Sequence, residues 1–220
     1  MRVKDESAYD RILAAAAKLF AARGYEGTTT RQIVAEAGAS LSSLQTYFQS
    51  KESLYREVLK KTQDNFYTIN APVLEEIDEV ERQGLLDADA AWDLLVQLVG
   101  QTVEWAFMTE YANEILLINR ELLQPSGIYE PLQEVSNRLY QYYQMLFERC
   151  VGEQDTYWAK ALSFSVITSA FDYANYPKML GEVLGCDMSL PENRQKAKIY
   201  AKQYMMTSIR ANLNVYKQER

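Results

Sequence analysis

The residues whose types and spacing best suit binding chemistry form a short uncharged stretch, residues 40–46. This stretch carries hydroxyl groups, one amide and two leucines. The amide of Gln45 has the donor and acceptor needed to bond the edge of an adenine, and the serines beside it can reach bases or phosphates. Arg31 and Lys51 flank the stretch and supply positive charge that suits a guanine or a phosphate. The pattern therefore indicates hydrogen bonding to DNA.

Enzyme chemistry is poorly provided for in this sequence. The 220 residues include no histidine, which excludes a Ser-His-Asp or Cys-His triad, a zinc site with imidazole ligands and a histidine pH switch. The two cysteines, Cys150 and Cys186, cannot form a Cys-x-x-Cys cluster. Four carboxylates at helical spacings lack the Glu-x-x-His pattern of di-iron bundles: Glu104, Glu110, Glu114 and Glu121. We expect no enzyme activity, no cofactor and no metal, and keep a helical enzyme or lipid-binding protein as an alternative.

Two predicted helices precede the uncharged stretch. The first runs from about Ser7 to Arg23, because its apolar residues recur on one face and Gly24 can end it. A threonine among residues 28–30 can cap the second, which Gly38 ends after barely two turns.

Ser40 can cap a third helix that carries the uncharged stretch. Leu44, Tyr47 and Phe48 are predicted to face inward and hold this helix on a core. The other side is free of acidic groups: Leu41, Ser42, Gln45 and Thr46. Two short helices joined by a tight turn after a longer one have the spacing of a helix-turn-helix, whose second helix fits the major groove.

The rest of the chain also reads as helical. A fourth helix is predicted from Ser50 to about Tyr67, and the texture changes near Pro72. Pro177 is expected to kink or end a later helix near Tyr176. Longer helices are predicted at about 89–108, 110–123, 130–151, 157–184 and 192–217. No segment alternates as a strand does, so the predicted fold class is all-α.

Charge is unevenly distributed along the chain. The net charge is −7, but residues 1–60 carry 9 Lys and Arg against 7 Asp and Glu, whereas residues 61–220 carry 14 against 23. A cationic head on an acidic body can still approach a phosphate backbone by one face, because fields are local beyond about 8 Å. Neither a signal peptide nor a membrane span is evident, and we expect a cytoplasmic protein without a membrane partner.

Residues 12–59 resemble the DNA-binding domain of TetR/AcrR-family transcriptional regulators. The similarity follows the order and spacing of that family at Ala16, Leu19, Phe20, Gly24, Tyr25, Thr28, Thr29, Thr30, Arg31, Ile33, Ala37, Gly38, Ser40, Leu44, Tyr47, Phe48, Lys51, Ser53, Leu54 and Val58. The chain departs from it on the reading surface, at Ala39, Ser42, Ser43 and Gln45. The resemblance implies DNA contacts from the second helix and the recognition helix, with Tyr47 and Lys51 on phosphates. The full predicted set is Thr30, Arg31, Ser40, Leu41, Ser42, Ser43, Gln45, Thr46, Tyr47 and Lys51.

The resemblance also implies a larger C-terminal helical domain that binds an effector and dimerises. We place the helix-turn-helix domain at residues 1–50, with its connecting helix to about 68, and the second domain at 69–220. Aromatic crowding favours a pocket for a small apolar or aromatic molecule, although the same residues could simply fill a core. The predicted ligand-binding residues are Trp105, Tyr111, Tyr140, Tyr143, Phe147 and Phe171.

Pairing of two subunits is expected because one helix-turn-helix reads only a few base pairs. Two apolar stripes on the last helices could form a four-helix interface, or could face the chain's own core. The predicted interface residues are Leu162, Val166, Ala170, Ile209 and Leu213. The sequence thus predicts a homodimeric repressor that binds a pseudo-palindromic duplex operator and is released by a small-molecule effector. The alternative is a regulator of the same fold without an effector.

Overall fold

The computed structural model describes residues 7–128, 131–152 and 156–218, without the side chains of 131–136, 156, 174 and 217. Every regular element in these ranges is helical, which confirms the predicted all-α fold. The helices in chain order are α1 Ala8–Arg23, α2 Thr30–Glu36, α3 Leu41–Phe48, α4 Lys51–Arg82, α5 Ala88–Phe107, α6 Ala112–Leu123 (preceded by a 3₁₀ turn at Thr109–Tyr111), α7 Pro131–Val151, α8 Thr156–Asn175, α9 Pro177–Leu184 and α10 Pro191–Gln218.

Side-chain caps start the first three helices where the sequence predicts them. The hydroxyl of Ser7 accepts a hydrogen bond from a backbone N–H in the first turn of α1. Thr29 and Gln32 form a reciprocal capping box at the start of α2. The Ser43 N–H donates to Ser40 Oγ at 3.0 Å at the start of α3. Each cap satisfies a donor that has no partner within the helix, and so fixes where the helix begins.

Gly38 makes the turn that separates α2 from α3. Its φ is 58°, in the left-handed region that glycine adopts without steric cost. Nothing lies within 4 Å of the position a Cβ would take, so backbone conformation rather than lack of space selects glycine here. Beside the turn, Arg11 Nε donates to the Ala37 carbonyl at 3.2 Å, which ties α1 to the end of α2.

Helix α4 is longer than the sequence predicts. It begins at Lys51 and continues to Arg82 rather than ending near Tyr67. Pro72 lies inside it on an exposed side and costs one helical hydrogen bond, about 3 kcal/mol in a helix interior. The helix continues because apolar side chains on both sides of the proline are buried, each stabilising it by about 1.5–3 kcal/mol: Phe66, Val73, Leu74 and Ile77.

The later helices follow the predicted pattern to within a few residues. Pro177 ends α8 at Asn175 and takes the first position of α9, where its missing N–H costs nothing. The expected break near Tyr176 is therefore confirmed. The predicted start of a helix at Glu130 lies outside the described residues.

The described residues form two compact units. The first, which we call the head, contains residues up to Phe66 together with the segment Asn113–Val135, and the second, the body, contains the rest. The head thus holds α1 to α3, the first half of α4 and all but the first residue of α6. The body is built around α5, which packs against α8 and α10. The single boundary near residue 68 stays a prediction, and it did not anticipate that α6 returns to the head.

Among the described helices, none combines the length and the apolar character that crossing a bilayer requires. In the same residues, no three side chains of the metal-binding types come together.

Candidate DNA interface

Helix α3 has a buried side and an exposed side. Leu44 and Phe48 are 2% and 4% exposed and anchor the helix in the core of the head. The opposite side is exposed and uncharged: Leu41, Ser42, Gln45 and Thr46. Such a surface offers hydrogen-bonding groups and one apolar contact without repelling phosphate, which are the properties that reading a major groove needs.

The two serines at the start of α3 are structural as well as accessible. Ser40 Oγ lies 2.9 Å from Ser43 Oγ in addition to accepting the capping bond. Further along, Thr46 Oγ1 donates to the Ser42 carbonyl at 2.9 Å. These bonds hold the side chains close to the helix, so the backbone of α3 can approach a ligand closely.

Helix α2 brings Thr30 and Arg31 to the outside of the head. Arg31 is exposed and Thr30 is half-buried. The acidic residue of this helix, Glu36, pairs with Lys18 Nζ at 2.5 Å, and this hydrogen bond lowers the pKa of the Glu36 carboxyl. The pairing offsets the negative charge that lies nearest to the turn before α3.

Tyr47 faces outward, and the prediction that it points into the core is wrong. Its side chain is 48% exposed, because Phe48 beside it already fills the inward position at the end of α3. The ring of Tyr9 supports it from α1, with the two ring centroids 5.9 Å apart at an interplanar angle of 82°. Its outward position leaves Tyr47 at the rim of the uncharged surface.

Lys51 has partners within the chain that the sequence did not predict. Its ammonium donates to the carbonyls of Tyr25 and Thr28 at 3.0 and 3.3 Å and lies 3.9 Å from the centre of the Tyr25 ring. The lysine therefore fastens the loop that carries the cap of α2 to the start of α4. A phosphate contact by Lys51 stays a prediction, whereas its role in positioning the loop is visible in the structure.

Replacing Lys51 by alanine should destabilise the head by about 1–2 kcal/mol, because two charge-assisted hydrogen bonds and a cation–π contact are lost from a partly buried site. Urea denaturation followed by circular dichroism measures the change. Lys60→Ala, at an exposed position of the same helix, serves as the control and should change stability by less than about 0.5 kcal/mol. If Lys51 contacts a phosphate, Lys51→Ala should also make the slope of log K for DNA binding against log salt concentration shallower by about one.

The end of α6 is bonded into the head by two neighbouring residues. Glu121 accepts a short hydrogen bond from the Tyr55 hydroxyl and two more from Ser126, from its N–H at 3.1 Å and its hydroxyl at 3.0 Å. Arg120 donates to two backbone carbonyls at the end of α1, both at 3.3 Å. Burial, followed by the Glu121 bond, raises the pKa of Tyr55, so its hydroxyl stays a donor. Residues far apart in sequence thus fix α1 and α4 together.

Glu114, on the same helix, has a carboxyl group that is only partly satisfied by hydrogen bonds. Asn65 Nδ2 donates to its Oε1 at 2.9 Å, but its Oε2 is buried without a hydrogen-bond partner, and burial raises the pKa of the carboxyl. A raised pKa in the folded state means that stability is lost as pH rises from below the unfolded value to above the folded one.

We therefore expect Glu114→Gln to raise stability at pH 7 by about 0.5–1 kcal/mol, a figure reduced for solvent screening of a partly exposed group. The gain should disappear near pH 4, where the native carboxyl is already neutral. Thermal melts of both proteins from pH 4 to 8 measure this difference, with the exposed Glu26→Gln as the control. An equal gain at every pH would contradict the assignment to charge burial.

Most of the aromatic residues predicted to bind a ligand lie in the core of the body. Trp105, Tyr143, Phe147 and Phe171 are buried, and the Tyr143 hydroxyl lies 2.8 Å from Thr102 Oγ1. The remaining two are partly exposed: Tyr111 and Tyr140. Four of the six therefore agree with the alternative that the aromatic residues fill the core. Contact of any of the six with a ligand stays a prediction. A body cleft of about 510 Å³ is lined by different residues, among them Trp92, Val96, Met206 and Arg210.

The predicted dimer stripes also face inward. Four of the five residues are buried in the chain's own body and the fifth is half-buried: Val166, Ala170, Ile209, Leu213 and Leu162. Because α8 and α10 already pack against α5, a partner could reach these side chains only by displacing the chain's own helices. Any interface on α8 and α10 must use their other faces.

Comparison with known proteins agrees with the geometry of the head. Residues 12–58 match the family model described as bacterial regulatory proteins, tetR family. Over 134 residues the chain is 29% identical to the HTH-type transcriptional dual regulator CecR of Shigella flexneri, a match that covers 61% of this chain and 60% of that protein. Residues 12–58, which contain α2 and α3, are therefore similar to the TetR family.

Solved structures extend the likeness in fold to the whole chain. A TetR-like transcriptional regulator from Rhodococcus sp. RHA1 aligns with a TM-score of 0.66 and 16% identity over 97% of this chain and 99% of the other. AibR in complex with isovaleryl coenzyme A and operator DNA aligns with a TM-score of 0.58 and 16% identity over 77% and 86%. The head and the body therefore both have the TetR fold.

Sequence analysis missed three residues that support the helices of the head: Tyr9, Arg120 and Glu121. Tyr9 lies three residues before the buried Ile12, so helical spacing could have placed it on the inner face of α1. No local signal could have found the other two, because their partners on α1 and α4 lie 66 to 99 residues away in the chain.

Proposed function

We propose that the chain is a transcriptional regulator that binds duplex DNA through α3 as a homodimer. The observation that supports this most directly is the two-sided construction of α3, with Leu44 and Phe48 held in the core and an uncharged polar side exposed. The match of residues 12–58 to the TetR family supports the same role. Gln45 at the middle of the exposed side is the residue best suited to a bidentate base contact.

Selection from a library of random duplexes with the purified chain tests DNA binding directly. We expect enrichment of sites with two inverted halves, because a two-fold dimer reads a pseudo-palindrome with half-sites about 34–36 Å apart or a multiple of that. Affinity for the selected duplex, measured by fluorescence anisotropy, should fall steeply with salt. Equal affinity for selected and unselected duplexes at all salt concentrations would remove the basis of the proposal.

The dimer interface that we propose uses the outward faces of α8 and α10. Ala161 and Ser165 are exposed on α8, whereas Tyr200 and Tyr204 are 69% and 66% exposed on α10. Helices α8 and α10 are in contact with each other, so small and large side chains lie on adjoining helices. In a two-fold pairing the tyrosines of one subunit can pack over the small residues of the other. A stable interface would bury about 1,200–2,000 Å² in total.

Tyr204→Lys should therefore shift the chain from dimer to monomer at micromolar concentration, because it would bury an ammonium group against the small side chains of the other subunit without a partner for its charge. Sedimentation velocity measures the change, and affinity for a two-half-site duplex should fall in parallel. Leu85→Lys, at a residue that is 61% exposed between α4 and α5 and so outside the proposed interface, is the matched control. A Tyr204→Lys chain that remains dimeric would place the interface elsewhere.

We further propose that a small apolar or aromatic effector binds the body and thereby changes the affinity of the whole chain for DNA. AibR, which shares the fold, is described in complex with isovaleryl coenzyme A and operator DNA, so this fold accommodates a small molecule together with DNA. An effector shifts the equilibrium only if it binds the two states with different affinity, and couplings of about 1–3 kcal/mol change operator affinity about 5- to 150-fold.

Thermal-shift measurements across a panel of acyl coenzyme A thioesters and aromatic acids separate this proposal from a regulator without an effector. A specific ligand at about 100 times its dissociation constant adds about 2.7 kcal/mol of stability. A hit must also change the anisotropy titration with the selected duplex. Hits that stabilise the chain without changing that titration would favour the alternative.

A further inference from the structure

Tyr9 lies at the centre of an aromatic cluster at the end of α3. Its ring stacks on that of Phe48, with the centroids 4.9 Å apart and an interplanar angle of 23°. With the ring of Tyr47 it forms an edge-to-face pair, with the centroids 5.9 Å apart and an interplanar angle of 82°. Tyr47 and Phe48 are neighbours in the chain, with ring centroids 6.2 Å apart. One residue of α1 therefore contacts both the buried anchor and the exposed rim of the recognition helix.

The backbone and the hydroxyl of Tyr9 are both held in place. It occupies the first turn of α1, two residues after the Ser7 that caps the helix. Its hydroxyl donates to Glu57 Oε1 on α4 at 2.9 Å. Burial and then this hydrogen bond raise the pKa of Tyr9, so the hydroxyl remains protonated at neutral pH. The ring is thus clamped at one end by α4 and at its faces by α3.

Tyr47 has much less support of its own. Its side chain is about half exposed, and α3 ends one residue later at Phe48, followed by Gln49 with a φ of 63°. An exposed tyrosine at the end of a short helix samples several rotamers, and ordering them on binding costs about 0.5–1.5 kcal/mol. The edge contact with Tyr9 restricts those rotamers before any ligand arrives.

We infer that Tyr9 is a positioning residue of the DNA-binding surface, whose ring pre-orders Tyr47 so that the Tyr47 hydroxyl can reach a backbone phosphate. The inference rests on the proposed function and adds to it a residue that need not touch DNA itself. Tyr9 acts through its ring, which stacking on the buried Phe48 holds in place, and its bond to Glu57 is an additional support.

A double-mutant cycle tests the inference. Tyr9→Leu removes the ring, and Tyr47→Phe keeps the ring of residue 47 but removes the hydroxyl that is to be positioned. We expect Tyr9→Leu to weaken binding to the selected duplex about three- to tenfold in the parent chain and less than twofold in the Tyr47→Phe chain. A purely structural role for Tyr9 would weaken binding equally in both backgrounds.

Tyr9→Phe supplies the conservative comparison, since it keeps the ring and loses only the bond to Glu57. It should bind within about twofold of the parent, and an affinity as low as that of Tyr9→Leu would overturn the role of the ring. Circular dichroism melts confirm that each variant is folded at the temperature of the titration. If the parent chain itself selects no duplex, the proposed function fails. If the parent binds and Tyr9→Leu is equally weak in both backgrounds, only this inference fails.

Discussion

Gln45→Glu should weaken binding to the selected duplex by about 100-fold or more. The substitution preserves the size of the side chain but puts a negative charge at the middle of the exposed side of α3, where the neighbouring side chains carry none. Each lost base contact costs about 1–3 kcal/mol, the loss occurs once in each subunit of the proposed dimer, and repulsion from phosphate adds to it. Fluorescence anisotropy at two salt concentrations measures the change.

The matched control is Gln195→Glu, which adds the same charge at an exposed position of α10 in the body. It should leave affinity within about twofold of the parent, since Gln195 lies outside the helices proposed to contact DNA and adds one charge to a chain whose net charge is already −7. Similar losses in both variants would show that net charge, rather than the position of residue 45, governs binding. An unaffected Gln45→Glu chain would mean that α3 does not face the DNA.

Phe48→Ala should destabilise the head by about 3–5 kcal/mol. The ring is 4% exposed and stacks on Tyr9, so its removal leaves a cavity behind the recognition helix. Hydrogen exchange of the α3 amides should rise by a corresponding factor, and binding to DNA should fail because the helix is no longer held. Urea denaturation measures the loss of stability. Hydrogen exchange followed by mass spectrometry shows whether that loss is confined to the head or extends to the body.

Leu41→Ala provides the opposite pattern on the same helix. Leu41 is 42% exposed, so its truncation should change stability by less than about 1 kcal/mol and still lower affinity for the selected duplex. The pair therefore separates residues that hold α3 from residues that face the ligand. Comparable stability losses for Leu41→Ala and Phe48→Ala would contradict the two-sided construction described above.

Helices α1 to α3 could be predicted closely from the sequence because local signals decide them. The Thr29 capping box, the Ser40 cap and the glycine turn act over three or four residues, and the pattern of Leu44 and Phe48 repeats with the helical period. Helical periodicity alone placed Tyr47 inward, because it does not distinguish two adjacent aromatic residues that compete for one inward position, whereas the family resemblance implied an outward side chain.

Features that depend on distant contacts could not be predicted. Lys51 binds carbonyls 23 and 26 residues earlier in the chain, and a charge at a helix start reads equally well as a phosphate anchor. The continuation of α4 through Pro72 depends on burial that only the folded chain supplies. The apolar stripes of α8 and α10 were visible in the sequence, but whether they face a partner or the chain's own core is decided by α5.

The return of α6 to the head has a practical consequence for protein engineering. A fragment cut after residue 66 would lose the carboxylate that receives the Tyr55 hydroxyl and the guanidinium that covers the end of α1. The buried phenol would then have to find water or another acceptor. To transfer the head to another protein, two discontinuous stretches must therefore be grafted together: residues up to 66 and the segment 113–135.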